Sequence, residues 1–321
     1  ICAAANISDP GATPPGRPVT SFTFSPYAIG GPLVGAAPTF HYERYLGTRL
    51  LPLIDFPAVV AISGAAVAPS MGKLSRPAFR FLLTLANIRL GVWIPNPGYI
   101  GHAEPPGRLR SLVRTTPRRL RGDRASGLEV VRTRERGGFP RVHYLWRELF
   151  GLNSLNDRYL YITDGGHYEN LGLVELLRRG CVTVYCFDAG SGKNTAALGE
   201  AIAIARSELS VEIDIDPAPL IVTDGKANAM VVVGQIRYAS GEVGDLFYVR
   251  SVVTDSTPAA ARAYQERDPR FPHHSTLDQF YDDLKFEAYR SLGSQGAKEA
   301  IALASRHETP AASPVGPLSS S

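Results

Sequence analysis

Hydrophobic positions in this chain switch between two periods, and the switches mark its elements. Tyr159-Leu160-Tyr161-Ile162-Thr163 is a β-favouring run that stops at Asp164-Gly165-Gly166. Leu171, Val174 and Leu177 then recur at helical spacing, up to Arg178, Arg179 and the helix-ending Gly180. Val182 to Phe187 reads as a second buried strand and stops at Asp188-Ala189-Gly190. Strand, glycine turn, helix and strand in this order predict a βαβ unit with parallel strands. Further along, an Ala-rich helix spans 196–209, and strands are expected at Val211–Ile215 and Leu220–Thr223. Met230–Tyr238 and Leu246–Val253 form a hairpin across Ser240-Gly241-Glu242-Val243-Gly244, which completes a mixed α/β domain.

Upstream, the patterns are less regular. Residues 1–50 are rich in Gly and Pro and read as irregular packing, with Ser21 to Tyr27 as a strand running into a loop. Pro57–Ile62 is a short apolar run suited to a buried strand, with a turn or short helix at Ser63-Gly64-Ala65-Ala66. Arg76 to Pro95 is strongly apolar but contains Arg80 and Arg89. Each arginine would cost about 2.5–3.5 kcal/mol at the centre of a membrane-spanning helix, so a buried helix is expected, with an interfacial helix as the alternative. Between Arg108 and Arg147 twelve arginines face three acidic residues, which predicts a flexible basic insertion over 108–147. Residues 306–321 read as a disordered tail, leaving 1–305 as the folded part.

Composition narrows the function classes. With 44% hydrophobic and 20% charged residues over 321 positions, neither wholesale disorder nor a polytopic membrane protein fits. The formal net charge is only +4, so nucleic acid is not an expected partner. Cys181 and Cys186 lie five apart in a strand, about 16 Å, beyond disulfide reach. No Cys/His cluster has metal-ligand spacing, so neither a metal nor another cofactor is expected, and a reducing compartment fits. The chain opens at Ile1 without a signal-peptide pattern. The expectation is a fragment located in the cytoplasm or on the cytoplasmic face of a membrane, with no signal peptide or transmembrane helix in these residues.

The chemistry concentrates at Asp164. In open parallel sheets ligands gather beyond the carboxyl ends of strands, where both Asp164 and Asp188 are expected. Gly165 and Gly166 allow close backbone approach, so the Asp164 carboxylate can stand beside a reacting group. Asn170 can cap or tie the following turn, and His167 is read as a structural histidine. Asp224-Gly225 is read as a turn, and His273 and His274 as structural or exposed.

The run Asp164-Gly165-Gly166-His167-Tyr168-Glu169-Asn170-Leu171-Gly172, with the strand ending Phe187-Asp188-Ala189-Gly190, resembles the Asp motif of patatin-like lipid acyl hydrolases and the related cytosolic phospholipases. Phe22-Thr23-Phe24-Ser25-Pro26-Tyr27 with Gly30-Gly31 and Gly35, Ser63 to Gly72, and Phe271 to Tyr289 are similar to further segments of that family. The resemblance implies a patatin-like three-layer α/β fold with a mainly parallel central sheet, incomplete at its N-terminus. It implies hydrolysis of a lipid or phospholipid ester by a Ser/Asp dyad, with Asp164 as the base and Gly165, Gly166 and Asn170 supporting the substrate and oxyanion region. Peripheral membrane contact accompanies such a substrate.

Two elements of the family pattern are missing, the nucleophile elbow and the Gly-rich stretch from which the family builds its oxyanion hole. No G-x-S-x-G occurs in the 321 residues. The nucleophile is therefore expected upstream of Ile1, with Ser63 in Ala61-Ile62-Ser63-Gly64-Ala65 as the in-chain alternative, since small residues flank it as a sharp elbow requires. The rival from another class is a non-catalytic, membrane-associated binding or scaffold module.

Overall fold

The computed structural model describes residues 1–46, 56–64, 91–100, 143–191, 195–275, 278 and 280–307. The chain divides into two compact units, Ile1–Tyr168 and Glu169–Ser321.

The first unit is built on a six-stranded sheet of β1 (Cys2–Asn6), β2 (Val19–Phe24), β3 (Ala28–Gly31), β4 (Gly35–Pro38), β5 (Val92–Pro95) and β6 (Tyr159–Asp164). Its order is β4-β3-β2-β1-β6-β5, and every neighbouring pair is antiparallel. The expected mainly parallel central sheet is thus corrected. Strands β2, β3 and β4 are joined by connections only a few residues long, which permit antiparallel pairing alone. The Gly- and Pro-rich start is likewise ordered: besides β2, which covers the start of the strand expected from Ser21, it contributes β1, β3 and β4 where irregular packing was expected. Glycine makes the tight return at β3 feasible: a Cβ on Gly31 would lie 2.1 Å from the Ser21 carbonyl oxygen.

Four helices of this unit are described: α1 (Thr39–Leu46), α2 (Phe56–Ser63), α3 (Pro97–Ile100) and α4 (His143–Phe150). The run Pro57–Ile62, expected as a strand, is the helix α2. Proline in a first turn gives up no needed hydrogen bond, and Val59 and Ile62, three residues apart, both turn inward. They join Phe22, Phe24, Leu160 and Ile162 in the unit's core. Most of the apolar stretch 76–95, residues 76–90, lies outside the described residues. Its last four residues are strand β5 rather than helix. Of the basic insertion, residues up to 142 lie outside the description, and 143–147 open α4.

The second unit carries a four-stranded sheet of β7 (Thr183–Asp188), β8 (Glu212–Asp214), β9 (Val231–Arg237) and β10 (Val243–Arg250), in the order β7-β10-β9-β8. Only the β7–β10 pair is parallel. β6 and β7 therefore belong to different sheets, and the expected βαβ unit does not form. As an edge strand, β7 alternates: Val184, Cys186 and Asp188 are buried while Thr183, Tyr185 and Phe187 are exposed, so it is not the doubly buried strand expected.

Its helices are α5 (Leu173–Arg178), α6 (Ala196–Leu209), α7 (Ala259–Arg267) and α8 (Asp283–His307). The Ala-rich helix and the β9–β10 hairpin stand where the sequence places them. Leu220–Thr223 is no strand: a 3-10 turn over Ala218–Leu220 precedes a single bridge from Thr223 to Lys226. α8 runs to His307, past the expected start of the tail, and residues 308–321 lie outside the description. Gly296 lets this helix approach the sheet, since a Cβ there would sit 2.6 Å from Val249 Cγ1. Among the described residues, no helix is long and apolar enough to cross a membrane.

Candidate functional site

Asp164 is the last residue of β6, where the buried centre of the first sheet meets a glycine turn. Its Oδ1 accepts the Gly166 N–H at 2.5 Å and so caps the 3-10 turn Gly165–His167, which closes with Tyr168 N–H on the Gly165 carbonyl at 3.0 Å. The carboxylate remains half-buried. Gly165 is pressed onto β1, where a Cβ would meet the Cys2 carbonyl oxygen at 3.0 Å.

The same Cys2 carbonyl accepts the Ser63 hydroxyl at 2.6 Å. Ala3, the next residue, is the register partner of Asp164. Ser63 and the Asp-Gly-Gly turn are thereby gathered around one residue of β1, although they lie about a hundred positions apart in sequence. Ser63 is the last residue of α2 and not the point of a strand-to-helix elbow, because the run before it is helical. Its hydroxyl proton is directed to a peptide carbonyl, not to Asp164.

Beside this cluster lies an apolar cleft of about 290 Å³, walled by Ile1, Phe24 and Ile29 on the sheet side and by Phe56 and Val59 of α2. Ile1 and Phe24 exchange backbone hydrogen bonds, so the cleft continues the sheet end that carries Cys2 and Asp164.

His167 is buried beneath the turn. Asn6 Nδ2 donates to Thr163 Oγ1 at 2.9 Å, and Thr163 Oγ1 lies 2.9 Å from His167 Nδ1. The Thr163 hydroxyl thus bridges the Asn6 amide and the His167 ring. The structural reading of His167 holds.

The remaining motif residues belong to the second unit. Asn170 is exposed, and the capping expected of it is done by Glu169. The Glu169 carboxylate is buried and accepts the N–H groups of Leu171 and Val174, closing the entry to α5. Burial pushes its pKa above the ordinary value, and these backbone donors pull it partly back.

Asp188 does occupy the carboxyl end of a parallel strand pair, in register with Arg250. Its oxygens are committed, Oδ1 to the Gly190 N–H at 2.8 Å and Oδ2 to the Tyr248 hydroxyl at 2.5 Å. Burial first, and the neighbouring carboxylate second, hold the Tyr248 phenol far above its ordinary range, so it stays a donor. Tyr248 and the buried Arg250 escaped the sequence reading because they lie about sixty residues from Asp188, with no local pattern to tie them to it.

His274 is structural as expected: its Nδ1 lies 2.8 Å from the Tyr289 hydroxyl and its Nε2 3.0 Å from Asp268 Oδ2. Asp224 and Gly225 both adopt positive φ and form the expected turn. Among the described residues no group of His, Cys, Asp and Glu is arranged to hold a metal ion. No protein-family model, curated protein or solved structure matches the chain.

Proposed function

We propose that this chain is part of a lipid acyl hydrolase in which Asp164 is the base of a Ser/Asp dyad. The observation that carries the reading is the half-buried Asp164 carboxylate, held on a glycine turn at a sheet end that also carries Ser63 and an apolar cleft. A carboxylate so held can accept a serine proton and return it to the leaving alcohol, while the cleft takes the apolar part of the ester. The substrate class is a lipid or phospholipid ester, and the patatin-like identity of the fold belongs to this same reading. The acylating serine is assigned to sequence outside these 321 residues, because Ser63 donates to the Cys2 carbonyl and no G-x-S-x-G is present.

That missing elbow favours one rival, a membrane-associated binding module without turnover. Hydrolysis of a short-chain fluorogenic ester and of phospholipid, measured for the chain and for the complete translated product of its gene, separates the two. Asp164→Ala is expected to lower turnover by about 10²–10⁴-fold while Ser63→Ala leaves it intact. Equal rates for wild type and Asp164→Ala in both polypeptides would remove the hydrolase reading.

A further inference from the structure

A polar cavity of about 440 Å³ opens in the second unit between the end of α7 and the start of α8. Its wall carries both signs of charge, Arg267, Arg270 and Lys285 against Asp268, Asp278 and Asp282, and includes the rings of Tyr264 and Phe280. Most of this charge is settled within the wall. Arg270 grips both oxygens of Asp268, Nε to Oδ1 at 2.9 Å and Nη2 to Oδ2 at 2.7 Å. Lys285, its side chain 6% exposed, donates to Asp278 Oδ2 at 2.9 Å and to the Phe280 carbonyl at 3.2 Å, and its ammonium stands 4.2 Å from the centre of the Tyr281 ring. An ammonium so deeply buried is tolerated only when paired, so these bonds fix the wall in advance of any ligand.

Arg267 and Asp282 are left over. Among the described residues Arg267 has neither a hydrogen bond nor an ion pair. Asp282 spends Oδ1 on the Lys285 backbone N–H at 2.7 Å, capping α8, and has no ion pair among the described residues. The described wall thus offers an unmatched cation and an unmatched anion to whatever enters. A phosphate dianion would meet three carboxylates there, and a metal cation three basic groups. A molecule with one charge of each sign satisfies both ends. A carboxylate matches the planar guanidinium fork, and a primary ammonium can donate to the second oxygen of Asp282. Phe280, 88% exposed, and Tyr264 supply apolar area for the rest of the molecule. We propose that this cavity binds a free α-amino acid with an apolar or aromatic side chain, held through Arg267 and Asp282. The assignment does not rest on the chemistry at Asp164.

Calorimetric titration of the chain with L-phenylalanine tests the site, alongside hydrocinnamate, which lacks the ammonium, and phenethylamine, which lacks the carboxylate. L-Phenylalanine is expected to bind, and each single-charge analogue to bind about tenfold more weakly. Phosphocholine carries both signs of charge, but its quaternary ammonium has no N–H for Asp282, so it is expected to bind more weakly than L-phenylalanine. Arg267→Gln and Asp282→Asn are each expected to weaken L-phenylalanine binding about tenfold. Asparagine still caps a helix, so Asp282→Asn removes the charge and spares α8. No binding of L-phenylalanine, equal binding of either single-charge analogue, phosphocholine binding as tight or tighter, or unchanged affinity in either variant would overturn the proposal. Should a variant fail to fold by circular dichroism, the ranking of these ligands on the wild-type chain decides.

Discussion

At the residue scale, single carboxylates in the second unit respond to pH in opposite directions. Glu169 is buried at the entry to α5 and its pKa is raised above 4.5. A raised value means the folded state holds that proton more tightly. Its contribution is full below the ordinary glutamate range and is lost as pH rises through the raised value. Asp268 is the reverse case. Arg270 first and His274 second hold it well below its ordinary 3.8, so its contribution is present above that value and is lost as pH falls. Denaturant unfolding between pH 3 and 7 should therefore show a decline in wild type relative to Glu169→Gln, and a rise relative to Asp268→Asn. Parallel pH curves for wild type and either variant would contradict that carboxylate's assignment. Tyr289→Phe, which strips the hydroxyl from His274 Nδ1, should cost about 1–2 kcal/mol in the same assay.

At the element scale, what the sequence made legible was what neighbouring residues decide. The β6 strand, the Asp164 turn, the helix end at Gly180, the helix 196–209 and the β9–β10 hairpin each rest on periodicity or turn chemistry within a dozen residues. Sheet partners do not. β7 finds its parallel mate in β10, sixty residues on, and β6 is inserted between β1 and β5 from distant parts of the chain. β1 itself was invisible because Ala3, Ala4 and Ala5 have little strand preference, and tertiary packing places all three at 0–1% exposure. The candidate site was half legible for the same reason: Asp164 announces itself in a local motif, whereas its convergence with Ser63 runs through the Cys2 carbonyl. This gives a prediction about the turn. Gly165→Ala must shift the Asp164 turn against β1 by a few tenths of an ångström, because the obstacle is a backbone carbonyl, not a movable side chain. Ester turnover in the complete gene product should fall at least about tenfold, the scale of a misplaced catalytic group, with unfolding shifted by only about 1–2 kcal/mol. Unchanged turnover would show that the position of the turn is irrelevant to the chemistry.

At the scale of the whole molecule, the two units have separate hydrophobic cores. One gathers Phe22, Phe24, Ile29, Leu160 and Ile162 around the antiparallel sheet. The other gathers Met230, Phe247, Val249, Leu292 and Ala300 between the mixed sheet and α8. A core holds together cooperatively through its own contacts, so two such cores predict two unfolding transitions. Phe22 and Phe247 are 0% and 2% exposed, one in each core, and truncating either to alanine should cost about 3–5 kcal/mol. Calorimetry on the chain should then show two endotherms, with Phe22→Ala lowering one and Phe247→Ala the other. If each substitution lowered both endotherms together, the units would be folding as a single cooperative body. Under the proposed function, because Asp164 and its glycine turn belong to the first unit, Phe247→Ala should leave ester turnover in the complete gene product intact at temperatures below both transitions. Phe22→Ala should abolish turnover together with its own transition.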